Sequence, residues 1–216
     1  MIIDHNDLTM KVQRQSLGTG RWNGAYYYSV ELCRNIIPYV YTDRDWITMK
    51  SGMRAADHSI YFIHNNLRPE RYSFLRNYKD VVLVCGIPET CEKVKDYGIP
   101  IYVPLTIDVA EVEKHKKPKT KEVAFAGRTA KMKDTLPDGI DVISNMKRED
   151  FLDAMAEYKQ VYAVGRTALE AKALGCEVLP YDPRFPDPNR WEVLDNSHAV
   201  GLLQTELDRI DGRRQE

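Results

Sequence analysis

The sequence lacks the features that mark several special classes of protein. Only 4 cysteines occur in 216 residues, and Cys33, Cys85, Cys91 and Cys176 form neither a CxxC pair nor a zinc-ligand spacing. No apolar run approaches the roughly 20 residues that a membrane helix needs, and the N-terminus has no basic region followed by an apolar stretch. With 12 Gly and 11 Pro, the composition is not that of a disordered or fibrous chain. We therefore expect a soluble, cytoplasmic globular protein whose cysteines are small buried apolar side chains.

An excess of charge of one sign is also missing. The 31 Lys and Arg residues are balanced by 32 Asp and Glu residues, which gives a net charge of -1. A protein held to nucleic acid by phosphate contacts alone usually carries a basic excess, so this balance argues against that class. The densest basic stretch, EVEKHKKPKTKEV at residues 111–123, contains Pro118 and is typical of a solvated linker.

Short apolar runs alternate with amphipathic stretches along almost the whole chain, which indicates an α/β fold with a mostly parallel sheet covered by helices on both faces. Continuous apolar runs such as VVLV favour parallel strands, because these are buried on both sides. The predicted strands are 11–15, 46–49, 59–63, 81–84, 101–103, 122–126, 140–143, 160–163 and 177–180. Helices are predicted over 26–37, 89–98, 148–158 and 167–175.

The strand–helix pattern runs twice, with the Lys-rich stretch between the two series. This organisation predicts two Rossmann-like domains, residues 1–112 and 113–216, joined near residues 110–121. The alternative is one continuous doubly wound sheet.

Two features of the N-terminal half are candidates for ligand binding. The turn SLGTGRWNG places Gly18, Gly20 and Arg21 before the first predicted helix, with nearly the glycine spacing of a dinucleotide-binding loop. The strand YFIHNN ends in His64, and ligands of open parallel sheets bind at the carboxyl ends of strands. Packing turns and local backbone hydrogen bonding explain both features equally well.

The C-terminal half contains two strand ends with Gly-Arg. In KEVAFAGRTAKMK a strand ends at Gly127-Arg128, with Lys133 five residues beyond the arginine. In YAVGRTALEAKALGCEVLPYD a strand is followed by a turn at Gly165 and by a helix.

That helix has Arg166 and Thr167 in its first turn and Glu170 one turn later. Cationic side chains beside a helix N-terminus favour a diphosphate, and a carboxylate accepts hydrogen bonds from sugar hydroxyl groups. An ordinary helix start with surface charges is the alternative.

These motifs resemble the C-terminal domain of GT-B glycosyltransferases of the family 4 type, which carry a Gly-Arg strand end, a following lysine and a Gly-x-x-x-Leu-Glu-Ala-x-Ala-x-Gly helix. The stretch VVLVCGIPETCEKVKDYGIPIYVPLTIDVAEVEK, with its Pro104 to Asp108 turn, resembles the end of the family's N-terminal domain. The resemblance is strongest over residues 121–182, and the whole chain is similar to small glycosyltransferase-like proteins of phage genomes. It implies a minimal GT-B fold in which two Rossmann-like domains face a cleft.

The resemblance also implies roles for individual residues. Arg128 and Lys133 would hold the donor diphosphate, with backbone N–H groups near Gly165, Arg166 and Thr167. Glu170 would hold the donor ribose, and His64 would lie near the transferring sugar as the catalytic candidate. Gly18, Gly20 and Arg21 would lie near the donor phosphates.

The implied reaction moves a sugar from a nucleotide-diphosphate donor to a hydroxyl acceptor. The resemblance implies that the reaction retains the anomeric configuration of the sugar and does not depend on a metal. No cofactor besides the nucleotide sugar is implied. The acceptor stays open between a modified DNA base, a glycan and a metabolite, and the location would be the cytoplasm, that of the host for a phage protein. The N-terminal domain would serve the acceptor and the C-terminal domain the nucleotide sugar.

Two departures from the family pattern bear on catalysis. The family has two glutamates eight positions apart, but the position eight before Glu170 is Tyr162. The chain is also little more than half the usual length. The alternative function is therefore a catalytically degenerate protein that binds a nucleotide-type ligand without turnover. A flavodoxin-like or response-regulator-like module is a third hypothesis, but it leaves the two Gly-Arg motifs unexplained.

Overall fold

The computed structural model describes residues 2–4, 28, 30–44, 46–48, 55–63, 68–128 and 136–212. These residues fall into two compact units. The first contains the described residues up to Leu105 together with 196–212, and the second contains residues 106–195. Each unit combines helices with a parallel sheet, so the predicted α/β class is confirmed.

The first unit is built on five parallel strands that lie in the sheet in their chain order. Helix α1 (Pro88–Val94) connects the last two strands. The strands are β1 (Ile2–Asp4), β2 (Trp46–Thr48), β3 (Ser59–Ile63), β4 (Val82–Cys85) and β5 (Ile99–Tyr102).

The second unit is built on four parallel strands, β6 (Lys121–Ala126), β7 (Asp141–Ile143), β8 (Tyr158–Tyr162) and β9 (Glu177–Leu179). Their order in the sheet is β7-β6-β8-β9. Its helices are α2 (Val109–Glu113), α3 (Arg148–Met155) and α4 (Arg166–Ala173), and a short 3-10 helix spans Pro188–Arg190. Asp108 of the Pro104 to Asp108 turn caps α2, since its carboxylate accepts from the N–H of Glu111 at 2.9 Å.

Alternate side chains of β3 and β4 pack into two separate cores. Every residue of both strands is buried, as expected where helices cover both faces of a parallel sheet. One core contains Ile60, Phe62, Val82 and Val84, and the other contains Tyr61, Ile63, Leu83 and Cys85.

The C-terminal helix α5 (Asn196–Gly212) belongs to the first unit. Its Ala199, Leu203 and Leu207 follow one another at intervals of four residues, so they share one face, and they are buried in the core with Ile60 and Val82. The predicted domains were residues 1–112 and 113–216. The first unit differs from the first of these because it also includes helix α5. Within the described part of the chain, no helix has the length and hydropathy that crossing a membrane requires.

Lysine 119 stabilises the ends of two helices in the second unit. Its Nζ donates to the carbonyl oxygens of Ala156, at 2.8 Å, and Leu174, at 2.9 Å, which follow α3 and α4. A cation at the C-terminus of a helix offsets the partial negative charge there. The half-buried Lys119 is therefore part of the fold, whereas the sequence indicated a solvated linker at this position.

Most of the predicted strands in the described ranges appear within one or two residues of their expected bounds. The first predicted helix differs from expectation in its type of helical hydrogen bonding. The predicted helix over 26–37 includes the π-helix Leu32–Ile36 and leads into a 3-10 helix, Ile37–Tyr39. Pro38 lacks the N–H that a continuing α-helix needs. The predicted strand 11–15 lies outside the described residues.

Candidate functional site

The order of strands in the second unit identifies where a ligand would bind. From β6 the chain moves outward to β7, then returns across β6 to form β8 and β9 on the other side. The winding therefore reverses between β6 and β8. Open α/β sheets bind ligands outside the carboxyl ends of the strands at such a switch point. Both Gly-Arg motifs lie there, because Gly127-Arg128 follows β6 and Gly165-Arg166 follows β8.

The backbone at Gly165 requires glycine. Its φ of 62° and ψ of −138° lie in a region that residues with a side chain rarely enter. A Cβ atom at this position would meet no heavy atom within 4 Å, so the requirement is conformational and the space beside it is open. Helix α4 begins directly after it, and the first N–H groups of a helix have no intrahelical acceptor. Gly165 thus allows the sharp turn from which α4 starts, at the predicted position.

We expect Gly165→Ala to lower the free energy of unfolding by about 1–3 kcal/mol, because alanine is strained in this conformation. Urea unfolding followed by circular dichroism measures the loss. Gly201→Ala is the matched control, since Gly201 lies in α5 with open space around it and no positive φ. There alanine should stabilise the helix by up to about 1 kcal/mol. Equal effects at the two glycines would contradict the strain at Gly165.

Three side chains at this edge form what we call the Arg–Glu–Arg cluster: Arg148, Glu170 and Arg166. Nη1 of Arg148 lies 2.8 Å from Oε1 of Glu170, and Nε of Arg166 lies 3.1 Å from the same oxygen. The carboxylate is fully buried, with an exposed fraction of 0%, and the two arginine side chains are 11% and 7% exposed. Two guanidinium groups therefore share one carboxylate at the candidate site, and the three groups together carry one net positive charge.

Arg148 is a member of the site that the sequence analysis missed. It is the first residue of α3, which follows β7, and lies 22 positions before Glu170. The hydrogen bond from Lys114 holds the pKa of Glu111, in α2, below its usual range. The nearby positive charge of Arg148 adds to this effect. The only local signal was an arginine at a helix start near a strand end, which is common in α/β proteins.

The structure describes only some of the site residues that were predicted from the sequence. It brings Arg128, Gly165, Arg166 and Thr167 to neighbouring strand ends, with Arg128 exposed and Thr167 buried. Glu170 lies beside them, but its carboxylate faces the two arginines and not open space. The other candidates, His64, Lys133, Gly18, Gly20 and Arg21, lie outside the described residues.

Tyr162, eight positions before Glu170, packs in an apolar cluster. Its neighbours there include Phe125, Leu136 and Tyr181. The rings of Phe125 and Tyr181 meet edge to face with their centroids 5.2 Å apart. Burial, with a smaller effect of Asp182, raises the pKa of Tyr181 to about 12, so its phenol stays neutral near pH 7. This part of β8 therefore supplies packing surface, whereas the resemblance to GT-B enzymes implies a carboxylate at this position.

Comparison of the chain with models of known protein families, with curated proteins and with solved structures finds no match. The site is therefore interpreted from its own geometry and chemistry. Among the described residues, no three His, Cys, Asp or Glu side chains lie together as metal ligands would.

Proposed function

We propose that the second unit binds the diphosphate of a nucleotide-type ligand and that the protein is a glycosyltransferase using a nucleotide-diphosphate sugar. One observation carries the proposal: Gly127-Arg128 and Gly165-Arg166 follow the two neighbouring strands that flank the switch point of the sheet. Glycine allows a ligand to approach the backbone, and arginine hydrogen-bonds phosphate with two parallel N–H groups.

In the proposed reaction the sugar passes to a hydroxyl acceptor, and the nucleoside diphosphate leaves. Negative charge develops on the diphosphate oxygen as its bond to the sugar breaks. Fixed donors aimed at that position lower the barrier most, since they need no reorganisation during the reaction. Arg128 and the N–H groups at the start of α4 would supply such donors. The proposal includes the GT-B architecture, in which the first unit would serve the acceptor.

A second candidate is a protein that binds the nucleotide without turnover. The position of Tyr162 favours it, because that side chain packs with Phe125 and Tyr181 where the family has a glutamate facing the donor sugar. Diphosphate binding is common to both candidates, and only turnover separates them.

A thermal-shift screen of the purified protein against UDP, GDP, ADP, TDP and CDP tests the proposed binding. A ligand at one hundred times its dissociation constant should add about 2.7 kcal/mol of stability, a clear rise in melting temperature. The matching nucleosides, which lack phosphate, are the controls and should give no shift. Equal shifts with nucleosides and nucleotides, or no shift with any nucleotide, would contradict a site built for phosphate.

Turnover separates the transferase from the inert binder. The nucleotide that binds identifies the donor sugars to assay, with release of the nucleoside diphosphate as the signal. His64→Ala in a transferase should lose turnover and keep nucleotide binding. A wild-type protein that binds its nucleotide but releases no product from any common sugar conjugate would favour the second candidate.

A further inference from the structure

Glu170 has no surface that a ligand can touch in this structure. Its exposed fraction is 0%; Oε1 accepts a hydrogen bond from Nη1 of Arg148 at 2.8 Å and lies 3.1 Å from Nε of Arg166. Oε2 is enclosed as well, and it has no hydrogen-bond partner within the described ranges of the chain. A ribose hydroxyl would reach this carboxylate only if the cluster opened.

We infer that Glu170 is a positioning residue that fixes Arg148 and Arg166 beside the ends of β6 and β8 and does not read the ribose of a bound nucleotide. The inference rests on the proposed phosphate site. It departs from the role that the resemblance to GT-B enzymes implies for this residue. Its consequence is that Glu170 does not distinguish ribonucleotides from deoxyribonucleotides, so among the described residues of the site the recognised group is the diphosphate.

The geometry of the cluster supports a positioning role. Arg166 and Glu170 are four residues apart on α4, so their side chains are neighbours on one face of the helix. Arg148 approaches from α3, so the carboxylate connects the helices that follow β7 and β8. A guanidinium held in one orientation loses less conformational entropy when it binds an anion.

The charge of the cluster also favours phosphate over hydroxyl groups as the ligand. Two arginines and one glutamate leave one positive charge in a setting that is mostly buried. Arginine side chains bind a phosphate through charge-assisted hydrogen bonds, which are stronger than hydrogen bonds between neutral groups. A neutral diol brings no charge, and to bind Oε1 it would have to displace Arg148.

Isothermal titration with matched nucleotides tests the inference directly. The probes are UDP and ADP, their 2′-deoxy and 2′,3′-dideoxy forms, and inorganic pyrophosphate. We expect the dissociation constants of each ribo, deoxy and dideoxy series to agree within about twofold, and pyrophosphate to compete with all of them. A carboxylate that accepted ribose hydrogen bonds would weaken the deoxy forms by about tenfold or more.

Two variants separate positioning from ribose recognition. Glu170→Gln keeps the shape of the side chain but removes the charge that holds both arginines, and Arg148→Lys alters the cluster while leaving Glu170 in place. Each should weaken UDP and 2′-deoxy-UDP by the same factor, about tenfold for Glu170→Gln. Glu177→Gln, at an exposed glutamate of β9, is the matched control and should bind as the wild type does. Circular dichroism confirms that each variant is folded.

The possible outcomes are distinct. Weaker binding of the deoxy forms to the wild type, or a loss in Glu170→Gln that is confined to the ribo form, would overturn the positioning role while leaving the phosphate site intact. Binding that neither Glu170→Gln nor Arg148→Lys weakens would also overturn it. Failure of every nucleotide and of pyrophosphate to bind would overturn the proposed function itself, and the inference with it.

Discussion

Replacing Arg128 by alanine is expected to weaken the binding of nucleoside diphosphates by about tenfold or more, because a hydrogen bond to a charged group contributes roughly 1.5–3 kcal/mol. Arg128 is exposed directly after Gly127 at the end of β6, next to the strand end that leads to Gly165. Titration of wild type and variant with UDP, GDP and ADP measures the effect. Since the contact is electrostatic and accessible to solvent, wild-type binding should also weaken as salt is added.

Arg190→Ala is the matched control for this experiment. Arg190 is an exposed arginine of the same unit, in the 3-10 helix Pro188–Arg190, and not at the switch point. Its loss should leave binding unchanged. If both variants weaken binding to the same extent, the affinity for the nucleotide depends on the overall charge of the protein and not on a contact with Arg128.

The largest loss of stability is expected from Arg44→Met in the first unit. The Arg44 side chain is 0% exposed; Nη1 donates to the backbone carbonyl of Asp80 at 2.8 Å, and Nη2 lies 3.1 Å from a carboxylate oxygen of Asp211. Nη2 also lies 3.6 Å from a carboxylate oxygen of Asp80. Methionine fills similar space but removes the guanidinium from the carbonyl and from both carboxylates. We expect the free energy of unfolding to fall by about 2–4 kcal/mol, a little below the cost of breaking a fully buried pair because the two acids are partly exposed.

Urea unfolding of Arg44→Met, with Arg34→Met as control, measures this loss. Arg34 is an exposed residue of the π-helix Leu32–Ile36, so its replacement should change stability by no more than about 0.5 kcal/mol. Because Asp211 lies in α5, the loss in Arg44→Met should come with faster amide exchange in that helix. Equal stability of the two variants would show that the buried guanidinium contributes nothing net.

Strands such as β3 were predictable because a continuous apolar run indicates burial on both faces of the sheet, whereas β1 (Ile2–Asp4) was not predicted. Ser59–Ile63 appears with the bounds that its continuous apolar run predicted, and every residue of it is buried. The C-terminal helix α5 was missed. The spacing of Ala199, Leu203 and Leu207 is that of a helix, but no local pattern says that this helix packs in the first unit.

The parts of the candidate site that could be predicted are those formed by residues close together in the sequence. The Gly-Arg strand ends and the start of α4 could be read from the sequence, because glycine turns and helix N-termini depend on neighbouring residues. Contact between Arg148 and Glu170 joins residues 22 positions apart and depends on the packing of α3 beside α4. Glu170 was accordingly expected to face a ligand, whereas in the structure it faces two arginines.

Hydrogen–deuterium exchange of the full-length protein, with and without saturating UDP, GDP or ADP, tests the central claim most directly. The claim is that a diphosphate binds where the sheet of the second unit reverses its winding. It predicts slower exchange in peptides that contain Gly127-Arg128 and Gly165–Thr167, with β9 and the 3-10 helix Pro188–Arg190 unchanged. Protection confined to other peptides, such as those of the first unit, would contradict it.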